Sequence, residues 1–463
     1  MKTIIKILFA AILMTGMLLP ASAQQNTGVP MKLTLEQAVK YALENNANVK
    51  NAKIDLESAE KKIWETTAMG LPQVSATANY TNIFKVPQVS FGPQVDFSKI
   101  DPSTPLTSSF YTNPANYKEG TLIPLGVKEN VTMNLVASQL VFSGEYIVGL
   151  QSARIFKKLS EQSLTKSEND TRESVSKSYY SVLIANENLK ILKKSLDLIT
   201  QTLNDISASF KQGFTESTEV DQVELTKLNL ENLIFTLDGQ SQIAVRLLNF
   251  QIGVDLAQPL ELLDSIGSFT ANISPAALMN DPYNPESSVD YKILQTSENL
   301  SLMSLKREKS KYLPSINASF MHQELLNAPP LNFISPNTLT LSLSWQLFSS
   351  GMRNSRIQQA KLALDKSTLA KNQVQQGLLL SWEQNHNGYV TALNNYFKLK
   401  KNVELADNIY KKSLIKFRAG IGTSMDLTTA QNQYLTIEGA YYTAVLDLLN
   451  AKAALAKLYE TSK

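Results

Sequence analysis

Twice in this chain, from Glu145 to Phe210 and from Met352 to Phe417, 66 residues pass without a proline. Proline breaks a helix interior, and both stretches carry helical periodicity. At 1.5 Å per residue, each would reach roughly 100 Å if unbroken. That exceeds any compact domain and predicts a tube or a rod. In the first stretch Val175, Val182, Leu189, Leu196, Leu203 and Phe210 fall seven apart. Ser178, Ala185, Leu192, Ile199 and Ile206 occupy the second seam position. Near the C-terminus Leu427, Tyr434, Tyr441, Leu448 and Leu455 repeat the spacing, joined by Ala430, Ile437, Ala444, Ala451 and Leu458. Two faces at a seven-residue period fit coiled-coil packing, and a plain helical bundle fits them too.

Composition removes most chemistry. The 463 residues carry 44 Lys+Arg against 41 Asp+Glu, a net charge of +3 with no electrostatic footprint for nucleic acid. The absence of cysteine excludes thiol catalysis, disulfides, thiolate metal sites and a lipid-modified N-terminal Cys. Two histidines, His322 and His386, are poor material for a metal centre and read as solvated or packed residues. No G-x-x-x-x-G-K-[ST] phosphate loop is present, and no cofactor is expected. Lys2 and Lys6, the apolar run from Ile7 to Leu19, and Ala21-Ser22-Ala23 form an export signal over 1–23, cleaved before Gln24. No later run of 18 or more apolar residues follows. The mature chain is therefore expected to be soluble outside the inner membrane, or to cross a membrane as β-strands.

The chain repeats itself. Leu71-Pro72-Gln73-Val74-Ser75-Ala76 matches Leu313-Pro314-Ser315-Ile316-Asn317-Ala318 at an offset of 242. Val141-Phe142-Ser143 matches Leu347-Phe348-Ser349 at 206, and Phe210-Lys211-Gln212-Gly213 matches Phe417-Arg418-Ala419-Gly420 at 207. The first copy thus carries about 36 extra residues, visible as a proline-rich long loop over 85–127. The expected organisation is a first repeat over 24–254, a linker over 255–285 and a second repeat over 286–463.

Each copy contains two segments that alternate with period two. Val74, Ala76, Ala78 and Tyr80 alternate with Gln73, Ser75, Thr77 and Asn79; Ile316, Ala318 and Phe320 alternate with Ser315, Asn317 and Ser319. Val131, Met133, Leu135 and Ala137 alternate with Thr132, Asn134 and Ser138; Leu339, Leu341, Leu343 and Trp345 alternate with Thr340, Ser342, Ser344 and Gln346. These predict strands near 73–84, 129–142, 314–322 and 339–348, each with one apolar face and one uncharged polar face. An ordinary half-buried sheet has this pattern, and so does a tilted membrane strand. Tyr80, Phe84, Phe142, Trp345 and Phe348 could form aromatic girdles. Four strands cannot close a membrane barrel, so spanning strands would require several chains. Leu71-Pro72 and Leu313-Pro314 mark helix giving way to strand. Gly144 and Gly351 mark the return, where a conformation closed to other residues is available.

A tight helical hairpin closes each copy. Lys211-Gln212-Gly213 ends one helix, and Thr218-x-x-Asp221 reads as a capping box opening the next. Arg418-Ala419-Gly420 and Thr423-x-x-Asp426 repeat the arrangement. The acids complement helix dipoles; at the tip of a multichain tube they would also form a cation-favouring carboxylate ring.

These duplicated landmarks resemble the TolC-type outer membrane efflux proteins, over nearly the whole mature chain from Leu33 to Tyr459. The resemblance implies a mainly α fold with a small β part. Long coiled-coil-like helices would form a periplasmic α-barrel, and four strands per chain would join one 12-stranded transmembrane β-barrel in a homotrimer. It implies a passive, non-enzymatic exit duct in the outer membrane. Its partners would be outer-membrane lipid, a periplasmic membrane-fusion adaptor and an inner-membrane pump. The family's tip acid falls on Asp426, and on Glu219 in the first copy; Asp221 and Thr423 complete the aperture candidates. Gly213, Gly420 and Gly422 are the implied adaptor contacts. A second acid found one turn further on in some members is Thr429 here. The heptads alone also fit a periplasmic coiled-coil adaptor or structural protein of an envelope complex. Scattered acids such as Glu219 and Asp426 are the one motive for an enzyme, and they assemble no site.

Overall fold

A computed structural model describes residues 30–90, 92–100, 103, 107–118, 120, 122–271, 282–328, 332 and 334–459. The expected signal over 1–23 lies outside them. In chain order the elements are β1 (Met31–Leu33), α1 (Leu35–Asn45), α2 (Ala47–Ala68), β2 (Gln73–Asn82), β3 (Gln88–Ser90), β4 (Gln94–Val95), α3 (Ser108–Thr112), β5 (Tyr117–Lys118), β6 (Leu122–Pro124) and β7 (Glu129–Ser143). There follow α4 (Gly144–Lys211), α5 (Ser217–Ile252), β8 (Leu260–Leu262), α6 (Ile266–Thr270), α7 (Val289–Ser310), β9 (Ser315–Leu325), β10 (Asn337–Ser344), α8 (Met352–Arg418) and α9 (Ser424–Tyr459). The proline-free stretches are thus single helices of 68 and 67 residues. The chain divides into two compact units, and α4 and α8 supply residues to both.

One unit comprises Asn48–Asp170, Asp281–Asn387 and Leu455–Lys463. It holds an antiparallel sheet in the order β10-β9-β7-β2, which leaves β10 and β2 as edges. Each strand adjoins a long helix at the same end of the sheet: β2 follows α2, β7 leads into α4, β9 follows α7, and β10 precedes α8. Among the described residues of the long loop expected over 85–127, two short strand pairs extend the β2–β7 hairpin, β3 with β6 and β4 with β5. Single-strand periodicity could not reveal pairs only two or three residues long. The last strand stops at Ser344, short of the expected 348, because Trp345 Nε1 turns back to donate to Tyr312 O at 3.1 Å. Two consecutive left-handed residues, Ser350 and Gly351, then lead into α8. Gly144 has no such conformation. A Cβ there would come within 2.8 Å of Leu313 Cδ1, the end of a flexible side chain.

The other unit comprises Met1–Ala47, Thr171–Asn280 and Gly388–Ala454. Its core joins Leu192, Ile199 and Ile206 of α4 to Val223 and Leu230 of α5, with Leu196, Leu203, Phe417 and Leu435 packed around them. The heptad seam is therefore the buried stripe, except that Phe210 at its end is exposed. Ser195 and Thr202, outside the apolar pattern, are buried beside it. Helices α8 and α9 meet through tyrosines: Tyr410 stacks on Tyr434 at 5.7 Å and Tyr396 on Tyr441 at 6.0 Å. Parallel pairing of β1 with β8 anchors the N-terminal segment. There Asp264 Oδ2 accepts from Leu35 N at 2.8 Å, and the Tyr179 hydroxyl lies 2.8 Å from the same oxygen and 3.1 Å from Leu33 O. Burial, reinforced by the Asp264 carboxylate, holds the Tyr179 phenol far above its ordinary pKa.

Candidate functional site: the sheet faces and the helical tips

Register sorts the strand side chains onto two faces. Residues directly opposite share a face. Val74 is paired with Ala137, Ala76 with Leu135, Ala78 with Met133 and Tyr80 with Val131. Ala137 is paired with Phe320, which is paired with Leu339; Ala318 is paired with Leu341 and Ile316 with Leu343. All four strands therefore present their apolar set on one side. Val74, Leu339, Leu341 and Leu343 stand exposed there in the single chain, Leu341 at 72 %. Near the helix-distal rim this face carries His322, whose Nδ1 is 2.8 Å from Asn337 Oδ1. His386 is elsewhere, on α8, stacked on Trp382 at 5.0 Å.

The opposite face carries Gln73, Ser75 and Thr77, then Asn134 and Ser138, Asn317 and Ser319, and Thr340 and Ser342. It is less uniformly polar than the alternation suggests. Val136 and Met321 are directly paired within it, in the row that also holds Ser75 and Thr338. A β-bulge adds one residue between the Leu140–Asn317 and Phe142–Ile316 pairs. It leaves Leu140 on the polar face and turns Phe142 to the apolar one, an inversion strict alternation cannot express.

The two tips share a backbone. In the first, Gly213 N donates to Phe210 O at 2.9 Å and Phe214 N to Ser209 O at 3.0 Å. In the second, Gly420 N donates to Phe417 O at 2.9 Å and Ile421 N to Lys416 O at 3.1 Å. Gly213 and Gly420 are both left-handed, as this helix-ending motif requires. Gly422 serves differently: a Cβ would stand 3.1 Å from Phe417 N. Beside these glycines Phe214 and Ile421 are 81 % and 77 % exposed, apolar tip residues that sequence reasoning passed over.

The helix starts differ. Thr423 and Asp426 form a reciprocal cap, with Asp426 N donating to Thr423 Oγ1 at 3.1 Å and the Thr423 hydroxyl donating to Asp426 Oδ2 at 2.8 Å. The capping box expected at Thr218 and Asp221 does not form. Helix α5 begins at Ser217 with Glu216 as its N-cap, so Thr218 lies within the first turn and donates to Glu216 Oε2 at 3.3 Å. Asp221 is exposed and Glu219 half-buried in that same opening stretch of helix. The tips touch through Ser424, whose hydroxyl donates to Gln222 Oε1 at 2.9 Å. The sequence places Ser424, Gln431 and Glu438 seven residues apart, and all three are buried. Glu438 Oε1 accepts from the Tyr434 hydroxyl at 2.8 Å.

Burial holds the Glu438 carboxyl above its ordinary pKa, against the Tyr434 hydrogen bond and with help from Asp407. The folded chain thus binds this proton more tightly than the unfolded chain. Stability from this site is fullest in acid and falls as pH rises from the ordinary carboxylate range through the folded pKa. Glu438→Gln is expected to raise the melting temperature by about 2 °C or more at neutral pH. The gain should disappear in acid; a gain that persists there would show that repacking, not ionisation, produces it.

Comparison with known proteins gives the class of this arrangement. The family model described as outer membrane efflux protein matches residues 126–254 and 303–459. The chain belongs to the outer membrane efflux protein family, a family of outer-membrane channel proteins. Among solved structures it is similar to the CmeC outer membrane channel of Campylobacter jejuni, at 14% identity and a TM-score of 0.67, over 92% of this chain and 85% of that one. It is also similar to VceC of Vibrio cholerae, at 12% identity and a TM-score of 0.67, over 93% and 97%. The open state of the Neisseria gonorrhoeae MtrE outer membrane channel matches at 15% identity and a TM-score of 0.67, over 92% and 88%. No curated protein matches the chain.

Proposed function

We propose that three copies of this chain form one outer-membrane exit duct of a tripartite efflux or type I secretion system. The observation that carries this reading is the sheet: four strands, largely apolar on one face away from the His322 rim, largely uncharged and polar on the other, with two edges unpaired among the described residues. Open edges of this kind are a liability unless another chain pairs with them. Pairing β2 of one copy with β10 of the next removes both edges and closes a barrel around a hydrated lumen. A helical adaptor alone gives no reason for such a sheet. Conduction is passive, and energy comes from an inner-membrane pump through a periplasmic adaptor. The exposed Phe214 and Ile421, beside Gly213, Gly420 and Gly422, support the tips as the adaptor's contact. Purified protein should sediment as a trimer in mild detergent and give stable conductance in planar bilayers. A folded monomer that never conducts would refute the duct.

The tip acids have two separable roles. In the duct, three Asp426 side chains, together with Glu219 and Asp221, form a cation-favouring constriction. Asp426→Asn is then expected to weaken cation preference, read as a reversal-potential shift in a salt gradient. Thr423→Ala is expected to cost about 1 kcal/mol by removing the cap while keeping the carboxylate. Unchanged selectivity in Asp426→Asn would leave capping as the role of that acid.

A further inference from the structure

At the helix-proximal end of the sheet, α2, α4 and α7 enclose a groove of about 690 Å³. Its wall includes Met69, Leu140, Tyr146, Phe156 and Leu300. The groove is built rather than incidental. Tyr146 is held against α2 by a hydrogen bond from its hydroxyl to Thr67 O at 3.1 Å. The ring reaches that place because residue 70 is glycine, whose missing Cβ would otherwise lie 2.5 Å from the Tyr146 hydroxyl oxygen. At the rim opposite charges are paired: Arg307 with Glu145 at 2.7 Å and Lys62 with Glu65 at 2.7 Å.

The register decides which side the groove serves. Leu140 and Ser143, its two residues from β7, are paired with Asn317 and Ser315 and so lie on the polar face. In the duct proposed above, on which this inference rests, that face lines the lumen. The groove therefore faces neither lipid nor the β2 and β10 edges where a second copy would pair. What reaches it is what passes through the lumen. Further along the same face, beyond the Ser138–Ser319 row, Val136 and Met321 form a second apolar spot among hydroxyls and amides.

We infer that this groove is a transit site for cargo with an apolar body of drug-like size and little net charge. Pockets of this volume, mostly apolar with a few polar groups, suit such ligands. The neutralised rim offers no fixed charge to select an anion or a cation. A duct carrying only metal ions or small hydrophilic solutes would have no use for such a wall.

The test uses the trimer in lipid nanodiscs, titrated with the neutral dye N-phenyl-1-naphthylamine, with empty discs as the background. Wild-type protein should give saturable fluorescence above that background, at one site per chain. Ser304→Trp, which fills the groove from α7, should weaken binding at least tenfold. Phe156→Ala, which removes a wall without adding bulk, should weaken it by a similar factor. Conductance is measured on the same preparations. A conducting protein whose dye binding equals the empty-disc background, or is unchanged in both variants, overturns the groove assignment alone. A protein that does not conduct overturns the duct and the cargo assignment with it.

Discussion

Replacing Leu341 by lysine is expected to remove the protein from the outer membrane. Leu341 lies in the middle of edge strand β10, paired with Ala318 on the apolar face. An ammonium on the lipid face near the midplane of a membrane β-barrel costs about 2–4 kcal/mol, and the proposed trimer would carry three. Ser342→Lys is the matched control, one residue along and on the opposite face, paired with Asn317. It should insert normally and shift selectivity towards anions. Membrane fractionation and detection of folded trimer in gels check both variants. Equal losses would mean that the faces are not divided between lipid and water.

The second large effect is expected at Gly253, the C-cap of α5. Its φ is +80°, and a Cβ there would stand 2.5 Å from Asn45 O and 2.7 Å from the carbonyl carbon. Asn46, the next residue, reaches back to donate from Nδ2 to Gln251 O at 2.7 Å. The fully buried Asn249 donates to Leu256 O and Gln258 O. Helix end, interhelix turn and following loop therefore meet backbone to backbone. Gly253→Val combines left-handed strain with a main-chain clash and should destabilise the unit by about 3 kcal/mol or more. Gly213 has nearly the same φ, +79°, but open space around it. Gly213→Ala should cost only about 1 kcal/mol. Thermal melts of the two variants separate the contributions, and similar losses would mean that Asn45 moves aside without cost.

Much of this architecture is written in periodicities. The two proline-free stretches, with heptads in the first and in the C-terminal segment from Leu427, specify the long helices, because a helix interior is local and its apolar seam is visible one turn at a time. Period-two alternation marks the main apolar set of each strand, though not Val136, Leu140 and Met321 on the other face, and both Leu-Pro pairs fall between a helix and a strand. Glycines at 213 and 420 mark their turns because few other residues tolerate left-handed backbone.

What the sequence could not express depends on partners distant along the chain. The bulge that turns Phe142 to the apolar face exists only in the pairing of β7 with β9. Thr218 reads as well as Thr423 as a cap, yet where α5 starts is decided by the turn that precedes it. Glycine at 253 is required by Asn45, 208 residues away along the chain. The groove is lined from α2, α4, α7 and β7, and no window of sequence contains it. Local backbone preference and apolar period are properties of neighbours in the chain, so sequence alone determines which segments are helix and which are strand. Steric exclusion and shared surfaces are properties of neighbours in space, so only the folded chain decides what those segments enclose.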